Sequence, residues 1–411
     1  MRIGIGLNLL APDNGGVTNY ALTLLRHWPV LAPQHPMVLF SFAHNEPLLA
    51  TLPAASRRHE IRLQTQEEAL DHFAGIDVYF CPFGTLWPRP VRKPSVLTFH
   101  DMQERFYPEF FTEKELAERF FHYDWSLRMA DAVITISDFT CEMATEMTGL
   151  PRSHCHVVPH VADELPTPLR PARLPAGLGG DRPFVFYPAN VWRHKNHERL
   201  LEAFARDELR GSRVELVCTG SHLGREQAWN AHLARLGLHG RVHHLGKVSR
   251  PEISWLFRNS RGLVFPSLFE GFGIPLLEAM TTGCPIACGA NTSQADVAGR
   301  AALYFSAEDP GAIARAVRRI DEDETLRRRL IAAGLDRAPA FNVHRLIDGH
   351  LRAFTAARNR YNPARAWWNE RVRLPRSLRA RGPLTPRERA TAAALLRRRS
   401  QLPADFETLS P

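Results

Sequence analysis

The feature that most constrains the fold is an alternation of short β-rich runs with longer helical patterns, passed through twice. In the first half, strands are expected near Ile3–Leu9, Met37–Phe42, Ile61–Gln64, Val78–Cys81, Val96–His100, Ala132–Ile136 and His156–Pro159. Helical patterns fall near Val17–His27, Glu113–Met129 and Phe139–Met147. A Pro/Gly/Ala-rich stretch from His160 to Asp181 then breaks all periodicity and reads as an interdomain linker. The rhythm restarts with strands near Phe184–Pro188, Val214–Cys218, Val242–Leu245, Leu263–Phe265 and Pro285–Cys288. Its helices fall near His197–Ala205, Arg225–Leu236, Pro251–Asn259, Pro275–Thr282 and Pro310–Ile320. Strands joined through helices must pair in parallel, so the fold class is α/β with two Rossmann-like domains facing a central cleft. A chain of 411 residues is also too long for one ordinary core. In open parallel sheets ligands bind beyond the carboxyl ends of the strands, and every motif below falls at such an end.

The densest motif is Phe265-Pro-Ser-Leu-Phe-Glu270-Gly-Phe-Gly-Ile-Pro-Leu-Leu-Glu278-Ala-Met-Thr-Thr-Gly283. Pro275 sits where a first helical residue is favoured and Gly283 where a C-terminal cap belongs. Gly271 and Gly273 leave the N–H groups of Phe272, Gly273 and Ile274 open before a positive helix end, a layout suited to phosphate. Glu270 falls in the loop and Glu278 about one turn into the helix, so one carboxylate can face a sugar while the other accepts from ribose hydroxyls. This segment resembles the Glu-x7-Glu motif of retaining nucleotide-sugar glycosyltransferases of family 4, which have the GT-B fold.

Further matches place more residues. Tyr187-Pro-Ala-Asn190-Val-Trp-Arg193-His-Lys195-Asn196 resembles the family's diphosphate-gripping loop. Lys195 matches its lysine, whose charge can neutralise a departing pyrophosphate, whereas Asn190 stands where an arginine is usual. Either Arg193 or Arg225 substitutes, or one cation suffices. Gly220 ends a strand at the position of the glycine near the phosphates, and Val242-His243-His244 matches the strand that receives the nucleobase. Adjacent strand residues point to opposite faces, which argues against metal binding by His243 and His244. Gly15 and Gly16 precede a helix and match a glycine loop facing the cleft. His100-Asp101 matches the family's His-Asp, in which the histidine faces the donor sugar. By the resemblance, Glu270, His100 and Lys195 are catalytic, and Gly15, Gly16, Asn190, Arg193, Gly220, Gly271, Phe272, Gly273, Ile274 and Glu278 bind the donor. It implies no metal or other cofactor, and same-face attack guided by the leaving phosphate. The N-terminal domain, residues 1–160, would hold the acceptor; after a linker at 161–181, residues 182–340 would bind the nucleotide sugar. Residues 341–357 would form a helix returning to the N-terminal domain, ahead of an Arg-rich extension at 358–411.

The expected partners are a nucleoside-diphosphate sugar (GDP-mannose or a UDP- or dTDP-sugar) and a glycan or lipid-linked acceptor in bacterial surface-polysaccharide synthesis. The alternatives are a nucleotide-sugar epimerase of the same fold and a non-catalytic sugar-nucleotide-binding protein. A glycoside hydrolase would also pair carboxylates but has no need of glycine loops and Lys195. Cysteines 81, 141, 155, 218, 284 and 288 show no metal spacing and suit a reducing cytoplasm. No apolar run approaches membrane-spanning length, so membrane contact is expected to be peripheral. Residues 358–411 hold thirteen arginines and four acids, a net of +9 that equals the whole-chain net, so the body is near neutral and nucleic acid is not an expected partner. The tail, with Trp367 and Trp368 among arginines, either meets an anionic membrane surface or packs back on the fold.

Overall fold

The computed structural model describes residues 1–12, 15–65, 67–88, 91–162, 165–368, 371 and 384–409. Two compact units emerge, Met1–Val161 with Phe341–Leu395, and Ala162–Ala340 with Leu396–Pro411.

The first unit is built on strands β1 (Ile3–Gly6), β2 (Met37–Ser41), β3 (Glu60–Arg62), β4 (Val78–Cys81), β5 (Ser95–Phe99), β6 (Ala132–Thr135) and β7 (Cys155–Val157). Their order is β3-β2-β1-β4-β5-β6-β7, all parallel, with Ile3 lying between Met37 and Val78. Apolar residues on both faces of β1, β2, β4 and β6 are buried, as expected where crossover helices cover both sides of a sheet. The helix Val343–Arg360 packs on this unit through Leu346, Ile347 and Phe354. Gly349 permits that approach, since a Cβ there would lie 2.7 Å from both Val158 methyl groups.

The second unit repeats the plan with β8 (Phe184–Pro188), β9 (Glu215–Thr219), β10 (Val242–His244), β11 (Leu263–Phe265), β12 (Ile286–Gly289), β13 (Ala302–Phe305) and β14 (Glu407–Thr408). The order β10-β9-β8-β11-β12-β13-β14 is again all parallel. The direction of strand addition reverses between β8 and β11, which makes the loops after those two strands the natural ligand site.

Two strands go beyond the sequence expectations. β13 completes the run after Cys288, and β14 comes from the far C-terminus. Arg319 and Arg329 both reach the Glu407 carboxylate, and Phe406 stacks on Tyr304 with centroids 5.6 Å apart. The Pro/Gly/Ala-rich stretch lies along the second unit, with Leu165, Leu174 and Leu178 buried. Leu169 N–H donates to the Pro251 carbonyl at 3.0 Å, and Arg170 covers the Trp255 ring. The tail arginines 373, 376, 379 and 381 lie outside the described residues. All six cysteines are buried thiols. Among the described residues, no helix is long and apolar enough to cross a membrane.

Candidate active site

The loops after β8 and β11 are stitched to one another. Tyr187 hydroxyl donates to the Lys195 carbonyl at 2.7 Å, and Leu268 N–H donates to the His194 carbonyl at 2.8 Å. Asn196 holds a left-handed backbone (φ 60°), and its amide donates to the carbonyls of Pro266 and Ala307 at 3.0 and 2.7 Å. Asparagine tolerates that conformation better than other side-chain-bearing residues, and here its amide also ties three strand ends together. The outcome is that Lys195 Nζ donates to Glu270 Oε1 at 2.6 Å, although 75 residues separate them. Glu270 is largely buried while the Lys195 side chain is 20% exposed, so this is a partly desolvated, charge-assisted ion pair.

Residues 291–294 hold the glycine loop from behind. Thr292 Oγ1 accepts from Glu270 N–H at 3.0 Å and donates to Gln294 Oε1, while Ser293 Oγ donates to the carbonyls of Glu270 and Phe272. Gly273, at φ +94°, caps the nine-residue helix Ile274–Thr282, and Gly283, at φ +68°, ends it. The backbone of Gly271, Phe272, Gly273 and Ile274 therefore runs directly into the helix N-terminus. Glu278 lies on that helix, 6% exposed, and accepts from Arg250 Nη1 at 2.6 Å.

Asn190 is committed within the protein: its Oδ1 accepts from Ser221 N–H at 2.7 Å. Gly220, at φ +119°, is required by close backbone approach, because a Cβ would meet the Ala189 carbonyl oxygen at 2.6 Å. Arg193 is exposed in the turn ahead of Lys195, and Arg225 precedes the helix Glu226–Leu236. His243 and His244 point to opposite faces. His243 meets Glu215 at 2.5 Å, whereas His244 packs against His222 with centroids 3.7 Å apart and rings tilted by 32°, and borders Trp229. Burial lowers His244 to about 4, and its Nδ1 accepts from Gly246 N–H. Among the described residues, no group of three or more His, Cys, Asp or Glu is placed to hold a metal ion.

In the first unit, Gly15 (φ +51°) and Gly16 open the helix Gly15–Leu31 after β1. His100 follows β5 and donates from Nε2 to the Pro82 carbonyl at 2.7 Å, which leaves Nδ1 as an acceptor. Burial pushes its pKa down to about 4, so it is a neutral imidazole at physiological pH. It stacks on His160 and meets the Tyr20 ring edge-on. Tyr20 is itself bonded to Thr98 and His350, each at 2.6 Å. His100, Asp101, Arg119, Tyr123, Phe83, Val17 and Leu9 line a cavity of about 380 Å³ at the strand ends.

Two family models match the chain. The one described as Glycosyl transferases group 1 takes residues 173–337, and the one described as Glycosyltransferase Family 4 takes residues 14–164. The chain is a family 4 glycosyltransferase of the GT-B fold. It is similar to O-antigen chain mannosyltransferase B of Escherichia coli, with 27% identity over 63% of this chain and 70% of that protein. It is also similar to O-antigen chain mannosyltransferase RfbU of Salmonella typhimurium, with 22% identity over 57% of this chain and 62% of that one. A D-inositol 3-phosphate glycosyltransferase of Streptomyces avermitilis is 29% identical over 45% of this chain, but the match spans only 42% of its length. Among solved structures, sucrose-phosphate synthase of Thermosynechococcus elongatus superposes with a TM-score of 0.66 at 20% identity, covering 87% of this chain and all of that one. HepE of Anabaena, solved with UDP and glucose, gives 0.64 at 17% identity over 86% of this chain and all of that one.

In this glycosyltransferase, the sequence motifs led to the loops of both units but not to the groups that hold them. Arg250 was missed, although Ser249-Arg-Pro-Glu252 is a legible capping box that sets it at a helix start. Asn291-Thr-Ser-Gln-Ala-Asp296-Val is a weakened match to the family's pattern, and Thr292, Ser293 and Gln294 were given no role there because their backbone partners lie more than twenty residues away.

Proposed function

We propose that this enzyme is a retaining transferase that moves a hexosyl group from a nucleoside-diphosphate sugar to a glycan or lipid-linked acceptor in bacterial surface-polysaccharide assembly. GDP-mannose is the first candidate donor, with UDP- and dTDP-sugars as the others. The observation that carries this is the Lys195–Glu270 pair at the reversal point of the second sheet, with Glu278 one turn into the adjoining helix. A diphosphate arriving at the N–H groups of Phe272, Gly273 and Ile274 competes for Lys195 and frees Glu270 for the sugar hydroxyls. Ribose hydroxyls then donate to Glu278 in place of Arg250. The diphosphate's charge is met by Lys195, the amides and the helix end, so the reading assigns no metal to the site.

In the transfer step the bond between the anomeric carbon and the phosphate oxygen breaks. The acceptor oxygen bonds to the same face, and its proton passes to the departing diphosphate. On the first unit, neutral His100 offers Nδ1 to a donor hydroxyl, and Gly15 and Gly16 let a ligand reach the backbone. The names of the O-antigen relatives support mannose, and the UDP and UDP-glucose complexes of HepE keep UDP-sugars under test. Exposed Trp367 and Trp368, with Arg371 over the Trp367 ring, support peripheral binding to an anionic cytoplasmic membrane face.

The test is thermal unfolding with GDP-mannose, UDP-glucose and dTDP-rhamnose. Ligand at a hundredfold its Kd stabilises by about 2.7 kcal/mol, a shift of several degrees. Incubation of the protective donor with methyl α-mannoside then follows the anomeric proton of the product by NMR. Retention supports transfer, an isomerised donor points to an epimerase, and the absence of protection by any donor overturns the proposal.

A further inference from the structure

The Arg-rich tail contains a helix, Pro386–Ser400, that begins with a capping box: Thr385 N–H and Oγ1 both donate to Glu388 Oε2 at 2.9 Å. The other oxygen of Glu388 does something unrelated to capping. It accepts from Arg105 Nη1 at 2.7 Å, 283 residues away. The Arg105 side chain is 1% exposed, and its second terminal nitrogen donates to Asp124 at 2.8 Å. Its guanidinium lies 4.2 Å from the Phe120 ring centroid. Leu384, Ala392 and Leu395 are buried, so this part of the tail is seated in the first unit.

The place where Arg105 sits gives the contact its meaning. Arg105 ends the turn Gln103–Arg105, which begins two residues after Asp101, and its amide donates to the Met102 carbonyl. Phe120 and Asp124 belong to the helix Glu113–Met129, next in sequence to Arg119 and Tyr123. His100 and Asp101 form one wall of the 380 Å³ cavity, and Arg119 and Tyr123 form another. Arg105 thus fastens both walls together from behind, and a buried guanidinium with one carboxylate removed would draw Asp124 or Glu104 toward it. We propose that Glu388 is a positioning residue: the tail helix holds Arg105 so that the segment after His100 and the helix bearing Arg119 keep the shape of a sugar-acceptor cavity. This rests on the glycosyltransferase reading above for the identity of the ligand, while the fastening itself does not.

The experiment uses the full chain with Glu388→Ala and Glu388→Gln. Glutamine has a single acceptor oxygen for the two roles the carboxylate divides, so it keeps the cap or the Arg105 contact but not both, and should fall between wild type and alanine. With GDP-mannose as donor and methyl α-mannoside as acceptor probe, Glu388→Ala should raise the acceptor KM about tenfold while slow hydrolysis of donor to water and donor KM stay within twofold. In parallel, amide hydrogen exchange at Met102–Phe106 and Leu116–Asp124 should quicken about tenfold, with Ala132–Thr135 unchanged. Wild-type acceptor KM, or unchanged exchange at both segments, overturns the proposal. Should the wild type neither transfer nor hydrolyse GDP-mannose or UDP-glucose, the glycosyltransferase reading is what fails, and hydrogen exchange alone decides whether Glu388 holds the two walls.

Discussion

Gly220→Ala tests whether the loop carrying Lys195 is set by backbone contact at the end of β9. The added Cβ would lie 2.6 Å from the Ala189 oxygen, 2.7 Å from its carbonyl carbon and 2.8 Å from Asn190 N. Ordinary contact begins near 3.4 Å, so the Ala189–Asn190 peptide must retreat by roughly 0.8 Å. It cannot retreat freely. Ala189 N–H donates to Thr219, Val191 N–H donates to Ser221, and Asn190 Oδ1 accepts from Ser221. A non-glycine residue at φ +119° costs about 1–2 kcal/mol, and weakening two of those bonds adds about 1 kcal/mol each. A total near 3 kcal/mol lowers the melting temperature of the second unit by about 10 °C. A displacement approaching 1 Å ahead of Lys195 should cost on the order of 100-fold in transfer. Gly224→Ala is the control, since it has φ +76° but nothing within 4 Å of the added carbon, and so should show the strain without the displacement. The assays are calorimetry and kcat/KM with the protective donor. Gly220→Ala melting within 2 °C of wild type with kcat/KM within threefold would refute the reasoning.

Lys195→Ala and Glu278→Gln should each lower transfer on the order of 100-fold and weaken nucleotide binding in titration calorimetry; wild-type turnover removes that residue from the mechanism. Glu270→Gln should lower turnover well beyond its effect on nucleoside-diphosphate affinity, and equal losses would contradict a sugar contact. His350 is fully buried and held down to about 4, so below pH 6.5 the unfolded chain takes up a proton that the native state refuses, and stability falls as pH drops toward 4. This amounts to about 2 kcal/mol at pH 5, and urea unfolding of His350→Gln should show that much less loss between pH 7.5 and 5; identical losses would be the contrary result. Replacing Trp367 and Trp368 by alanine should lower sedimentation with anionic vesicles at low salt, and unchanged binding would leave the membrane surface to other residues.

What the sequence disclosed was local. Val78–Cys81, Phe184–Pro188, Leu263–Phe265 and Glu113–Met129 stand in the structure with the boundaries their patterns predict, because each is bounded by its own turn or cap signals. The placement of Glu270 and Glu278 was legible for a related reason: a strand, a glycine turn and a helix start within one short segment fix where a side chain must go, and Lys195 lies in the short strand-to-helix step that follows Pro188. Strand order carries no such signal. Alternation requires parallel pairing, but β4 adding beside β1, and β11 beside β8, is decided by which faces the crossover helices bury. β14 has only two residues in an arginine-rich setting and becomes a strand because β13 offers it an edge and two arginines receive Glu407.

The tail shows how composition and placement part company. A net of +9 over residues 358–411 describes a solvated or membrane-bound surface if charges are merely counted. Several charges in the described part instead have fixed partners: Glu388 on Arg105, Arg365 near Asp131, Arg399 on Asp296, Arg300 on Asp405. Most of these pairs are partly exposed and contribute little stability. The Arg105 pair differs because its arginine is buried, so losing the carboxylate leaves a charge that water cannot reach. Periodicity could not reveal that difference, since Glu388 in Thr385-x-x-Glu388 already has a sufficient local reason to be there. One carboxylate satisfies a helix cap with one oxygen and a distant cation with the other, and only the first of these leaves a mark in the sequence.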